Sequence, residues 1–168
     1  MTHIAVLGAG LGGIIMAYEM KRKLRREDRL TVINLGSNYS FVPSNPWVAV
    51  GWRQPQDITV DLVPVLKQHG IALRPEGARR VHPGENRVEL NDGSFLDYDF
   101  LIIATGPELA FDEVPGLGPD VFTQSICQID HATRAKAAFD ALVKAPGPVV
   151  VCAVQGASCY GPAYEFAF

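Results

Sequence analysis

Three glycines set the strongest constraint on this chain. Gly8, Gly10 and Gly13 form a G-x-G-x-x-G spacing directly after the apolar run Ile4 to Leu7 and directly before a helical pattern, Leu11 to Arg26. That order has a physical logic. Gly8 permits the tight turn and Gly10 lets the backbone approach a pyrophosphate. Gly13 allows the helix to pack closely on the strand, and the helix N-terminus presents unpaired N–H groups to negative charge. Gly12 belongs to the same loop. Apolar residues Ile14, Ile15, Tyr18, Met20 and Leu24 fall near helical spacing, and the basic end of the segment suits the negative end of a helix dipole. Leu30 to Leu35 follows as a β-branched strand. The segment therefore reads as a βαβ unit built to bind a dinucleotide.

At the end of the second strand, where such units place an acid on the ribose, this chain has Asn34. Its carbonyl oxygen can accept from a hydroxyl without charge assistance, or the residue can simply end the strand. Residues 36–55 are loop-like, and a loop of that length is more often functional than filler. A helix is expected over Val60 to His69 and a short strand over Ile71 to Leu73. Ala78 to His82, Arg87 to Leu90 and Ser94 to Tyr98 read as an antiparallel meander, with turns at Pro83-Gly84 and Asn91-Asp92-Gly93. Phe100 to Ala104 is expected as a buried strand ending in Thr105-Gly106. Pro115 to Pro119 looks like an exit from a first domain. A helix over Thr133 to Lys144 and a buried strand over Pro148 to Val154 follow, then a turn and a helix begun near Gly161.

Composition narrows the function classes. The net charge of -3 over 168 residues offers no basic surface for nucleic acid. No apolar run approaches the roughly 20 residues of a membrane-spanning helix, and no signal-peptide pattern opens the sequence. The three cysteines, Cys127, Cys152 and Cys159, lack metal-type spacing, so no metal site is expected. Cys152 lies inside an apolar run and reads as a packing residue. Cys159 stands at the expected start of a helix, where the dipole favours a thiolate, although a small buried thiol fits the same place. Cys127 falls in a loop and is open to either role. The turn Gln155-Gly156-Ala157-Ser158-Cys159-Tyr160-Gly161 lacks a G-x-G-x-x-G pattern and carries a sulfur instead, which argues against a nicotinamide donor.

A strand ending in Ala104-Thr105-Gly106 after a three-stranded meander resembles the second FAD motif of the two-dinucleotide-domain flavoproteins. Within that superfamily, three segments resemble sulfide:quinone oxidoreductase. They are Phe41-Val42-Pro43-Ser44-Asn45-Pro46-Trp47 with Val50-Gly51-Trp52, then Gln124-Ser125-Ile126-Cys127 with Asp130-His131-Ala132, and Gly156 to Glu165. The likeness runs along essentially the whole chain, as the amino-terminal part of such a protein.

The resemblance implies an α/β fold. A Rossmann-like FAD-binding domain with a three-stranded antiparallel meander would span 1–114, and the first strand and partial helix of a second Rossmann-like domain would span 115–168. It implies FAD as cofactor and sulfide and quinone as reactants. Sulfide would be oxidised through cysteine persulfides and two electrons passed through FAD. Cys159 would be one of two redox cysteines, and Cys127 a further cysteine near the flavin. Pro43 would lie in the loop lining the isoalloxazine, and Ala78 would touch the adenine end. His131 and Glu165 would handle protons. Peripheral membrane attachment would come from a C-terminal part outside these residues. The competing readings are a type-II NADH dehydrogenase, a flavocytochrome-type sulfide dehydrogenase, or an inactive flavin-binding fragment.

Overall fold

Alternation along the first strand organises half of the molecule. In the computed structural model, which describes residues 1–154, 156–157 and 160–168, β1 (His3–Leu7) and β2 (Arg29–Ile33) run parallel on either side of α1 (Leu11–Lys23). Ile4 and Val6, with Leu30 and Val32, face one side of the sheet. There they join Ala17, Ile14, Tyr18 and Met20 of α1. Ala5 and Ile33 face the other side, as the period of two in a strand requires. Lys21, Arg22 and Lys23 occupy the last turn of α1, as expected from the helix dipole.

The loop after β2 holds more structure than its composition suggests. It contains β3 (Asn38–Ser40), a single 3-10 turn (Val42–Ser44) and α2 (Asn45–Ala49), followed by a second 3-10 turn (Pro55–Ile58) and β4 (Thr59–Asp61), which pairs with β3. The next helix, α3 (Leu62–Gln68), starts two residues later than Val60 because the Asp61 carboxylate caps it, accepting from the Val63 N–H at 3.0 Å. Leu62 and Leu66 complete the α1 side of the core. β5 (Ala72–Arg74) then joins the sheet beside β2.

The meander appears where the turn signals place it, as β6 (Ala78–His82), β7 (Arg87–Leu90) and β8 (Phe95–Asp97). Its Val88, Leu90 and Leu96 close over Ala5 and Ile33. β9 (Phe100–Ile103) returns to pair with β1, giving a parallel sheet in the order β5-β2-β1-β9. This unit is therefore helices, parallel sheet and meander in three layers. β9 is less buried than its apolar sequence predicts: Phe100 is 62% and Ile103 66% exposed, since only β1 flanks it among the described residues.

Met1–Tyr39 and Val60–Glu108 form that unit, whereas Ser40–Thr59 and Leu109–Phe168 form another. The second is built on α2 and α4 (Ile129–Lys144), whose Val48, Ala49, Ala132 and Ala135 share an apolar cluster with Ile58. Burial of Ala132 at the same face as Ala135 explains why α4 begins ahead of Thr133. The final helix is α5 (Gly161–Ala167). Pro148 to Val154, expected as a buried strand, is irregular, with Val150 87% exposed and Cys152 exposed. A strand is held by ladder bonds to neighbours, and none pairs with it among the described residues.

Asp28 ties the amino-terminal corner of the sheet. Its carboxylate accepts from the Arg25 side chain at 3.1 Å and from the backbone N–H groups of Thr2 at 2.8 Å and Arg25 at 3.2 Å. The Arg25 guanidinium, then the Thr2 amide, hold its pKa down to about 2. A carboxyl depressed on folding contributes stability that is fully present above its unfolded pKa of about 3.9 and lost as pH falls toward the folded value. Asp28→Asn therefore lowers the melting temperature at pH 7, and the gap from wild type closes between about pH 4 and about pH 2. A gap that stays constant over that range contradicts the assignment.

Candidate functional site

At the carboxyl end of β1 the backbone is packed so tightly that two positions admit no side chain. A Cβ on Gly8 would stand 2.4 Å from the Ala104 carbonyl oxygen, and one on Gly13 would stand 1.9 Å from the Gly8 oxygen. Gly8 also takes a φ of +101°, open to glycine and strained for other residues. Its N–H donates to the Ile33 oxygen at 2.8 Å, while the Ala104 N–H donates to Leu7 at 2.8 Å. The ends of β2, β1 and β9 are thereby sewn together at the turn.

Gly10 and Gly12 differ: among the described residues nothing lies within 4 Å of a Cβ at either. Gly10 is the N-cap of α1 and no acidic residue occupies the first turn, so the helix's unpaired N–H groups face open space without a competing carboxylate. Gly106, just past β9, is likewise open, with φ +76°. The strand order reverses at β1, between β2 and β9, and ligands of open α/β sheets bind at that crevice. The geometry fits a dinucleotide diphosphate: a cradle that a Cβ would fill, lined by donors.

Asn34 lies beside this loop. Its oxygen accepts from the Ala9 N–H at 3.0 Å, and its amide nitrogen donates to the carbonyls of Leu35 (3.2 Å) and Gly36 (3.1 Å). It pins the glycine loop to the end of β2, a role the sequence did not disclose. Thr105 follows the Ala104 that abuts Gly8. Ala78 opens β6 and packs against the meander-side core. These residues belong to the first unit.

The remaining candidates belong to the second. Pro43 lies in the Val42–Ser44 turn. Cys127 is exposed, one residue ahead of the Gln128 that caps α4. His131 lies in the first turn of α4, its ring 5.6 Å from that of Phe111 and its Nδ1 buried without a partner among the described residues. Glu165 is exposed on α5, and Cys159 lies outside the described residues. Asn45, which sequence reasoning passed over, is fully buried and donates from Nδ2 to the Ile126 oxygen at 2.9 Å, linking the Pro43 turn to the Cys127 segment. Its only sequence signal is an Asn-Pro step, which marks a turn and not a partner. Among the described residues, no helix is long and apolar enough to cross a membrane.

Known proteins share this arrangement. A sequence model of the pyridine nucleotide-disulphide oxidoreductase family matches residues 2–161. The sulfide-quinone reductase of Aquifex aeolicus (strain VF5) is 40% identical over 98% of this chain and 37% of its own length. The mitochondrial sulfide:quinone oxidoreductase of Dictyostelium discoideum is 24% identical over 96% of this chain and 36% of its own. The X-ray structure of the sulfide:quinone oxidoreductase from Aquifex aeolicus superposes with a TM-score of 0.90, covering 99% of this chain and 38% of that one. The chain thus spans well under half the length of the relatives it matches, and the resemblance read from its motifs is found along nearly all of it.

Two substitutions separate the packing glycines from the open one. Gly13→Ala forces backbone apart and is expected to destabilise the fold by about 3 kcal/mol. Gly10→Ala meets no atom of the described residues, so it should stay within about 0.5 kcal/mol of wild type yet weaken FAD binding more than about tenfold, or 1.4 kcal/mol. Chemical denaturation and flavin-fluorescence titration check both, and unchanged FAD affinity in Gly10→Ala contradicts the cradle. Shaped in this way at the turn after β1 and matched by the family's model over residues 2–161, the chain belongs to the pyridine nucleotide-disulphide oxidoreductases, a family of FAD-binding flavoproteins.

Proposed function

We propose that this chain is the amino-terminal part of a sulfide:quinone oxidoreductase, with residues 1–114 contributing its FAD-binding domain and 115–168 the start of a second dinucleotide-binding-like domain. The observation that carries the reading is the 40% identity to a sulfide-quinone reductase over 98% of the chain. The open cradle at Gly10 and Gly12 supports it independently.

In this reading the N–H groups at the start of α1 hold the diphosphate, with Gly10 and Gly12 leaving room for it and Gly8 and Gly13 fixing the loop. Thr105 and Gly106 let the end of β9 pass close to the cofactor. Asn34, whose oxygen keeps a second lone pair beyond its bond to Ala9, is the ribose contact. Ala78 borders the adenine end, and the Pro43 turn lines the ring. When bound, FAD supplies a two-electron acceptor that can in turn reduce a quinone. Cys159 carries sulfur as a persulfide, together with a second cysteine from outside these residues. Cys127 assists beside the ring, while His131 and Glu165 move protons. Membrane contact, which a quinone substrate calls for, comes through parts of the protein beyond this chain. The absence of a G-x-G-x-x-G pattern between Gln155 and Gly161 weighs against a nicotinamide-dependent relative.

The protein that carries this chain is expected to reduce a soluble quinone analogue on addition of sulfide. Cys159→Ala should abolish that turnover while leaving the flavin bound. Normal turnover in Cys159→Ala removes this cysteine from the mechanism, and rapid bleaching of the flavin by NADH without any response to sulfide overturns the assignment.

A further inference from the structure

One polar side chain ties together the two segments of the second unit assigned above to the flavin's surroundings. Asn45 follows the Pro43 turn, and its own N–H closes that turn on the Val42 oxygen. From there Nδ2 reaches 81 residues along the chain to donate to the Ile126 oxygen at 2.9 Å. The opposite end of the same peptide group, the Cys127 N–H, donates to Ser125 Oγ at 3.2 Å. The peptide that leads into Cys127 is therefore held at both of its polar atoms.

This arrangement has a cost that a space-filling residue would not carry. Asn45 is 0% exposed, and the orientation that offers Nδ2 to Ile126 leaves Oδ1 buried without a partner among the described residues. An unsatisfied buried acceptor is destabilising, and an apolar side chain of the same shape would remove it. Its own helix, α2, carries Val48 and Ala49 into an apolar cluster with Ile58, Ala132 and Ala135, against which Ile126 also packs. Packing alone does not account for an asparagine at this place, whereas a donor aimed at the Ile126 carbonyl does.

We infer that Asn45 is a positioning residue that fixes Cys127 relative to the Pro43 turn. The inference rests on the proposed place of Pro43 and Cys127 beside the flavin, and it sets the distance between the ring-lining turn and the sulfur through one hydrogen bond. Since both anchors lie in the second unit, the constraint needs no cofactor to form, and it can be read in the chain itself.

Amide hydrogen exchange resolved to residues 124–128, corrected for intrinsic rates, provides the test. Asn45→Leu is expected to lower protection at Cys127 about tenfold, with protection along α4 retained and the melting temperature unchanged or raised. Asn45→Asp gives the same loss at neutral pH, where a carboxylate faces the Ile126 carbonyl. Protection returns on acidification, because the protonated carboxyl is again a donor. Wild-type protection in both variants overturns the inference, as does a loss spread equally over α4, or an Asn45→Asp profile without pH dependence. The flavin-side reading fails by a different result, Cys127→Ser leaving sulfide-dependent flavin reduction unchanged, which would not alter the exchange data.

Discussion

A backbone contact without side chains, at the carboxyl end of β1, is the constraint on which this molecule depends. Gly8 and Gly13 meet at a separation that leaves no space for a Cβ, and the Ala104 carbonyl closes on Gly8 from β9. The contact fixes where α1 starts and how steeply it leaves the sheet. Any side chain there would lift the helix and turn its unpaired N–H groups away from the strand ends. The cradle at Gly10 exists because its neighbours are packed so closely, and the emptiness at Gly10 and Gly12 is as much a product of that packing as the tightness at Gly8 and Gly13.

The layers around this point keep it rigid. Ile4 and Val6 bind β1 to α1 and α3, while Ala5 binds it to the meander, so β1 is held on both faces and on both edges. Asn34 adds a polar latch from the end of β2 to Ala9, inside the loop itself. The second unit solves a different problem. Its α2 and α4 form a small apolar cluster, with Pro43 in the turn before α2, Cys127 just ahead of α4 and His131 in the first turn of α4. The tightly packed glycine turn and these three residues thus fall on different elements.

Much of this was legible in the sequence, for identifiable reasons. The glycine spacing carries its meaning locally, since the tight turn, the helix cap and the close helix approach all fall within Gly8 to Gly13, although the Ala104 carbonyl that crowds Gly8 comes from far along the chain. The meander was readable because Asn91-Asp92-Gly93 and Pro83-Gly84 are turn-formers whatever surrounds them. Failures occur where structure depends on distant partners. Among the described residues, Pro148 to Val154 has the composition of a buried strand but no ladder partner, and Phe100 and Ile103 look like core residues although β9 is flanked on one side only. The start of α4 was missed because Ala132 is recruited by α2, some 80 residues earlier in the chain. The bonds of Asn34 to Ala9 and of Asn45 to Ile126 leave no periodic trace at all, since an asparagine at a turn looks alike whether its amide is solvated or committed.

A crystal structure of the FAD-loaded protein that carries this chain would show where the diphosphate sits. Diphosphate oxygens are expected within about 2.7–3.2 Å of the N–H groups of Leu11, Gly12 and Gly13, over the open face of Gly10. A diphosphate seated away from the start of α1, with those N–H groups bound to water, would contradict that placement.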